Sequence, residues 1–218
     1  MNPAHARSLG TLGLLGCCAI LLVAFWYQFR LGEMPCPLCL LQRAAFAAAG
    51  VGFALTVRFG PRPSHLGVTI LSAVAGSFVS ARQVALHIVP GTGGYGSTLF
   101  GLHFYTLALI AFLALIVAAA ALLLADGAFR AGAGAGAWTG TGQAGIGHVG
   151  TGRAGTVQAG TAGGLAGTGA LGWACLLLFL SVVLANALAT AAECGGGLCP
   201  DDPVGYEALD AWLGRAKP

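Results

Sequence analysis

Five long apolar runs constrain the fold of this 218-residue chain more than any other feature; they lie near Leu9–Phe29, Pro35–Val57, Leu66–Val89, Leu99–Ala125 and Ala170–Ala192. A helix needs roughly 20 consecutive apolar residues to cross the hydrocarbon layer of a bilayer. The expected fold is therefore all-α and membrane-integral, a four-helix transmembrane bundle plus a fifth transmembrane helix after a Gly-rich linker. Composition points the same way: 57% of the residues are apolar and 8% are charged, a balance that a soluble domain would not keep in solution. The net charge of +3, spread over scattered Lys and Arg, excludes a nucleic-acid surface. The first run is longer than the roughly 7–15 residues of a signal-peptide core, and no small-x-small cleavage site follows Phe25-Trp26-Tyr27-Gln28-Phe29. It is expected to be a retained anchor with its aromatic cluster at the membrane interface.

An odd number of crossings puts the two termini on opposite faces. Arg7, Arg58, Arg62, Arg130 and Arg153 then share one face, which the positive-inside bias makes cytoplasmic. Arg30, Arg43 and Arg82 fall on the other, with the Pro35–Cys39 segment, the Pro90–Thr98 loop and the tail. The domain reading is a bundle over 1–126, a flexible cytoplasmic linker of Gly, Ala and Thr over 127–169, a fifth helix over 170–192 and an outer tail over 193–218. The Gly-x-Gly-x-x-Gly-like spacings of the linker lack a strand-then-helix context and predict no nucleotide site. In the tail, Pro203–Arg215 reads as a small amphipathic helix with Tyr206, Leu209, Trp212 and Leu213 along one side, either on the membrane surface or solvated.

The seven cysteines divide by position. Cys17, Cys18 and Cys175 lie inside apolar runs, where thiols behave as small hydrophobes. Cys36 with Cys39, and Cys194 with Cys199, flank helix ends on the same outer face, and in an oxidising compartment neighbouring thiols form or exchange disulfides. Cys36 and Cys39 open the second helix, where first-turn peptide dipoles favour a thiolate. Arg43 follows Cys39 by four residues on the same helix face and would favour a thiolate or an anionic ligand; the alternative is an Arg that snorkels to the headgroups. Arg82, followed by Gln83 and then His87, reaches the same outer end and can line a pocket for a polar ring head; His103 and Tyr105 are weaker candidates. The Gly-rich spacer of Cys194–Cys199 allows a bridge that trades disulfides with the first pair, or a static staple. Four sulfurs can also hold zinc, but no metal is expected, since nothing else in the chain needs one to fold. Haem attachment is excluded because Leu40 stands where a c-type site needs His.

The run Pro35-Cys36-Pro37-Leu38-Cys39-Leu40-Leu41-Gln42-Arg43, with Ala81-Arg82-Gln83, resembles the disulfide-bond formation protein B family over roughly Leu12–Ala125. The resemblance implies a four-helix bacterial inner-membrane enzyme that oxidises a periplasmic thioredoxin-fold dithiol oxidase (DsbA-like) and reduces ubiquinone or menaquinone. It implies that Cys36 and Cys39 are the quinone-coupled pair, that the Cys39 thiolate faces the quinone, that Arg43 holds a quinone oxygen, and that His87 is a second quinone-proximal residue. The chain departs from familiar members in its second pair: the Pro90–Thr98 loop has no cysteine, and Cys194–Cys199 follows a fifth helix that those members lack. The expected function is a membrane thiol:quinone oxidoreductase, N-terminus cytoplasmic and tail periplasmic, in which electrons pass from partner to Cys194–Cys199, to Cys36–Cys39, to quinone. The acidic residues Glu193, Asp201, Asp202, Glu207 and Asp210 either steer a basic partner or form a solvated face. Two rivals are a vitamin K epoxide reductase-like enzyme, in which the motif is expected late in the bundle, and a non-enzymatic membrane protein with a four-cysteine metal or structural site.

Overall fold

The computed structural model describes residues 3–91, 93–125, 168–195, 197, 199, 203 and 205–214. Its long helices are α1 (Pro3–Arg30), α2 (Pro37–Phe59), α3 (Pro63–His87), α4 (Phe104–Ala125) and α5 (Ala170–Cys194); a short α6 (Glu207–Trp212) lies in the tail. All five long helices are long and apolar enough to cross a membrane, and a helix suits that medium because it satisfies its own backbone polar groups. Leu71, Phe78, Leu124 and Leu180 stand exposed on the helices, as side chains facing lipid would. The all-α, five-span expectation holds. The residues assigned to the linker, apart from Thr168 and Gly169, lie outside the described ones.

Local sequence sets the ends. Proline at the first turn of α2 and of α3 fits a position whose N–H has no helical partner. Gly60, at φ 85°, ends α2 and returns its N–H to Thr56 O; only a glycine adopts that backbone without strain. Helix α4 starts later than the apolar run suggests, because Thr98–Leu99 pairs antiparallel with Leu102–His103 in a two-stranded ribbon (β1 and β2). The two residues between them, Phe100 and Gly101, both have positive φ (54° and 78°), as a tight hairpin turn of this twist requires. The amphipathic tail helix is shorter than expected, six residues. Helix α5 runs two residues past the expected Ala192, so that Glu193 and Cys194 belong to its last turn.

Two apolar clusters hold the helices together. Leu21, Phe25, Phe46, Ala73, Phe112 and Val182 join the bundle to α5, with Phe46 and Phe112 stacked 3.9 Å apart between centroids. Leu14, Cys17, Cys18, Phe53, Val57, Cys175 and Phe179 tie α5 to α1 and α2; the three free cysteines are buried there as small hydrophobes. A Cβ on Gly52 would collide with Thr69 and with the His65 carbonyl, so glycine sets how closely α2 and α3 approach.

The helix ends sort into two groups. At one end Arg7 lies against Gly60, and Arg58 covers Phe59 and Trp173 at 5.1 and 5.4 Å. At the other lie Arg30, the Cys36–Cys39 turn, the ribbon and the end of α5. Helix α5 therefore runs parallel to α1 and antiparallel to α2.

Candidate redox site at the Cys36–Cys39 end of the bundle

Pro35 and Cys36 keep the chain extended before Pro37 begins α2, which makes Cys36 the N-cap. Its Sγ accepts the Cys39 backbone N–H at 3.1 Å, the role that a hydroxyl or carboxylate oxygen usually fills. Cys36 and Cys39 form a disulfide with Cα atoms 5.0 Å apart. Gln83 of α3, buried at 1% exposure, donates its amide N–H₂ to Cys36 Sγ at 3.3 Å and to Cys39 Sγ at 3.6 Å. Gln42 of α2 donates to Gln83 Oε1 at 2.8 Å and so fixes which end of that amide faces sulfur. An amide donor buried against both sulfurs favours negative charge on either once the bridge opens.

One turn after Cys39, Arg43 donates to Gln28 Oε1 at 2.6 Å and to the Ala24 carbonyl at 3.2 Å, and its guanidinium lies 5.7 Å from the Phe25 ring centroid. Gln28, itself buried, donates to the Tyr206 hydroxyl of the tail at 3.1 Å. Arg43 is therefore held in place rather than free to snorkel. Cys39, Gln42, Arg43 and Gln83 share the wall of a cavity of about 360 Å³. The rest of its lining is mostly apolar and aromatic, from Tyr27, Phe46, Phe104 and Tyr105 among others, and Tyr95 and Leu99 cover it from the loop side. A cavity of a few hundred Å³ with apolar walls and a few convergent polar groups is the usual form of a small-molecule site.

The expected site residues separate in space. Cys36, Cys39 and Arg43 come together. His87 is half-buried, with Nδ1 2.8 Å from the Gln83 carbonyl oxygen, and its ring stacks on Tyr105 at 5.2 Å. Tyr105 lines the cavity and His87 stands behind it. Arg82 is exposed, because one helical residue turns it about 100° away from the buried Gln83. Cys194 and Cys199 form the second disulfide, Cα atoms 4.5 Å apart. No group of three or more His, Cys, Asp or Glu side chains gathers as metal ligands among the described residues. Glu193 departs from the expected acidic surface: it is 1% exposed, since α5 continues through it and turns it inward.

Gln28, Gln42 and Gln83 were given no site role from the sequence, and Tyr105 stood there only as a weaker candidate. The signal for the three glutamines was present: each is an amide inside an apolar run, where a polar side chain is costly unless it is paired.

Residues 6–95 match the family model described as Disulfide bond formation protein DsbB. A Disulfide bond formation protein B of Xanthomonas axonopodis pv. citri is 40% identical over 97 residues, covering 41% of this chain and 56% of that protein. Proteins of the same name from Azoarcus sp. and Stutzerimonas stutzeri are 35% and 32% identical, over 92 and 96 residues; the matches cover 40% and 41% of this chain and 55% and 58% of those proteins. The chain thus spans just over half the length of the curated relatives it matches. No solved structure matches. The matched segment takes in α1 to α3 and the start of the loop, which contain Cys36, Cys39, Arg43 and Gln83.

Proposed function

We propose, from the similarity of residues 6–95 to the disulfide bond formation protein B family, that the chain is a membrane thiol:quinone oxidoreductase of the bacterial inner membrane. The observation that carries the reading is the shared cavity wall: the sulfur of Cys39, the Arg43 guanidinium and the amide pair Gln42–Gln83 converge on one apolar space. That donor set suits a flat, apolar ring with polar oxygens. A quinone bound there, ubiquinone or menaquinone, would supply a two-electron, two-proton acceptor for the dithiol.

The protein's own residues do the rest. A reduced thioredoxin-fold dithiol partner on the periplasmic side attacks the Cys194–Cys199 disulfide; one S–S bond breaks, and the partner leaves as a disulfide. The two tail thiols then reduce Cys36–Cys39, taking up the disulfide themselves. Cys36 lies at the helix N-cap and Cys39 faces the cavity. The first-turn dipoles, the Gln83 amide and Arg43 all favour thiolate there, and a thiolate is the form from which electrons leave. In this reading Arg43 orients the acceptor's oxygen, and His87 acts through Tyr105. The loop after the bundle is cytoplasmic and the tail periplasmic, in line with the sorting of Arg7, Arg58 and Arg62 to one end.

A second reading of the tail is favoured by the burial of Cys194, 8% exposed: a static staple at the end of α5. One experiment tests both. Quinone reduction by the purified full-length chain is followed by ultraviolet absorbance, with a reduced thioredoxin-fold dithiol protein as donor. Cys36→Ser is expected to fall to background. If Cys194→Ser does the same, electrons pass through the tail; if it retains wild-type turnover, the pair is a staple. Absence of turnover by the intact protein would end the oxidoreductase reading.

A further inference from the structure

Glu193 has a setting that the relay just described does not use. It sits in the last turn of α5, 1% exposed, and neither carboxylate oxygen has a hydrogen-bond partner among the described residues. An unsatisfied buried carboxyl is costly unless a charge compensates it. A cation at this end of the bundle is Arg43 of α2, which does not bond Glu193 directly but is held by Gln28 and Ala24 of α1, the helix against which α5 packs. A second tail group reaches the same place, since Tyr206 accepts from Gln28, the amide whose oxygen holds Arg43. Neither Glu193 nor Tyr206 lines the cavity. Arg43 therefore stands between two environments, with the cavity and Cys39 on one side and the carboxylate end of α5 on the other.

We propose that Glu193 is the counter-charge of Arg43, a positioning residue through which α5 sets how strongly Arg43 favours the Cys39 thiolate. The inference rests on reading Cys36–Cys39 as an exchanging pair. A carboxylate behind Arg43 withdraws part of its field from Cys39, whereas the two hydrogen bonds to Gln28 and Ala24 keep the guanidinium where it is. Removing the negative charge leaves more of the field acting on Cys39, stabilises the thiolate and so favours the dithiol over the disulfide. The same placement joins the two cysteine pairs, because Glu193 directly precedes Cys194 in the chain.

The test is a glutathione titration of the full chain in quinone-free nanodiscs. Two glutathione thiols are oxidised to one glutathione disulfide for each Cys36–Cys39 bridge reduced. Alkylation and peptide mass spectrometry read Cys36 and Cys39 apart from Cys194 and Cys199. Glu193→Gln keeps the shape and removes the charge; it is expected to shift the Cys36–Cys39 equilibrium toward dithiol by about fivefold or more, a size usual for coupled sites. In an Arg43→Gln background the same substitution is expected to shift it less than about twofold, the mark of an effect that runs through Arg43. An unchanged equilibrium, a shift toward disulfide, or an equal shift in both backgrounds would overturn the proposal. Should Glu193→Gln fail to fold, Glu193→Asp, which draws the charge back by one methylene, is expected to shift in the same direction by a smaller factor, and no shift would be equally fatal. The titration needs neither quinone nor partner, so failure of quinone turnover would sink the function reading and leave this one standing. A Cys36–Cys39 bridge that no glutathione ratio reduces in any variant would instead remove the premise of exchange.

Discussion

The two disulfides occupy opposite ends of helices, and that difference gives their sulfurs different surroundings. Cys36 caps the N-terminus of α2, and its bridge meets the positive end of a peptide dipole, the Gln83 amide and the Arg43 side of a cavity. Cys194 is the last residue of α5, where the dipole is negative and the preceding side chain is the buried Glu193. Its bridge closes over Gly195, whose φ of 63° lets the chain turn back. A thiolate is favoured at the first site and disfavoured at the second. In the proposed relay, electrons entering the tail pair would therefore move downhill to the pair beside the cavity.

The largest expected effect comes from removing the one cation that only the first pair has. Arg43→Gln should lower quinone reduction by about 10²-fold, the usual loss when one preorganised charge partner is deleted; steady-state kinetics with varied quinone would check it, and wild-type rates would separate Arg43 from the chemistry. Next, the reduction potential of Cys36–Cys39 should lie at least about 30 mV above that of Cys194–Cys199, equivalent to about 1.4 kcal/mol. Alkylation in graded thiol buffers measures both, and equal potentials would break the helix-end comparison. Gln83→Met should narrow that gap and destabilise the protein by about 1 kcal/mol, because Gln42 would lose its buried acceptor; thermal unfolding in detergent gives the second number. The smallest effect is expected at Arg82. Its side chain is exposed, so Arg82→Gln should change stability by less than about 0.5 kcal/mol and leave turnover unchanged, and a large loss of quinone binding would restore Arg82 to the site.

The spans and the first cysteine pair were legible in the sequence because both are local. Apolar run length fixes a crossing, and Cys39 and Arg43 share a helix face by spacing alone. The second helix was expected to open at the Cys36–Cys39 turn, as it does at Pro37, whereas α3 starts at Pro63, three residues before the apolar run from Leu66. The start of α4 was not, since Leu99 and Leu102 are apolar enough to extend a span, and only their pairing in the ribbon takes them out of it. The acidic tail misled for a related reason: its composition is polar, while α5 continues as a helix through Glu193 and turns that one carboxyl inward.

The sequence by itself determined the five long apolar helices of the described residues, which of them opens with a disulfide and which charge stands one turn behind it, since these depend on contacts within a few residues. Tertiary structure decided the remainder: that Gln83 and not Arg82 meets the sulfurs, that His87 stands behind Tyr105, and that Glu193 is buried. The deciding contacts join residues 47 positions apart for Gln83 and Cys36, and 178 apart for Gln28 and Tyr206. Each depends on the rotation of one helix about its axis relative to another. Packing of apolar faces sets that rotation, and a polar side chain one residue off register, like the exposed Arg82, is turned out of the site.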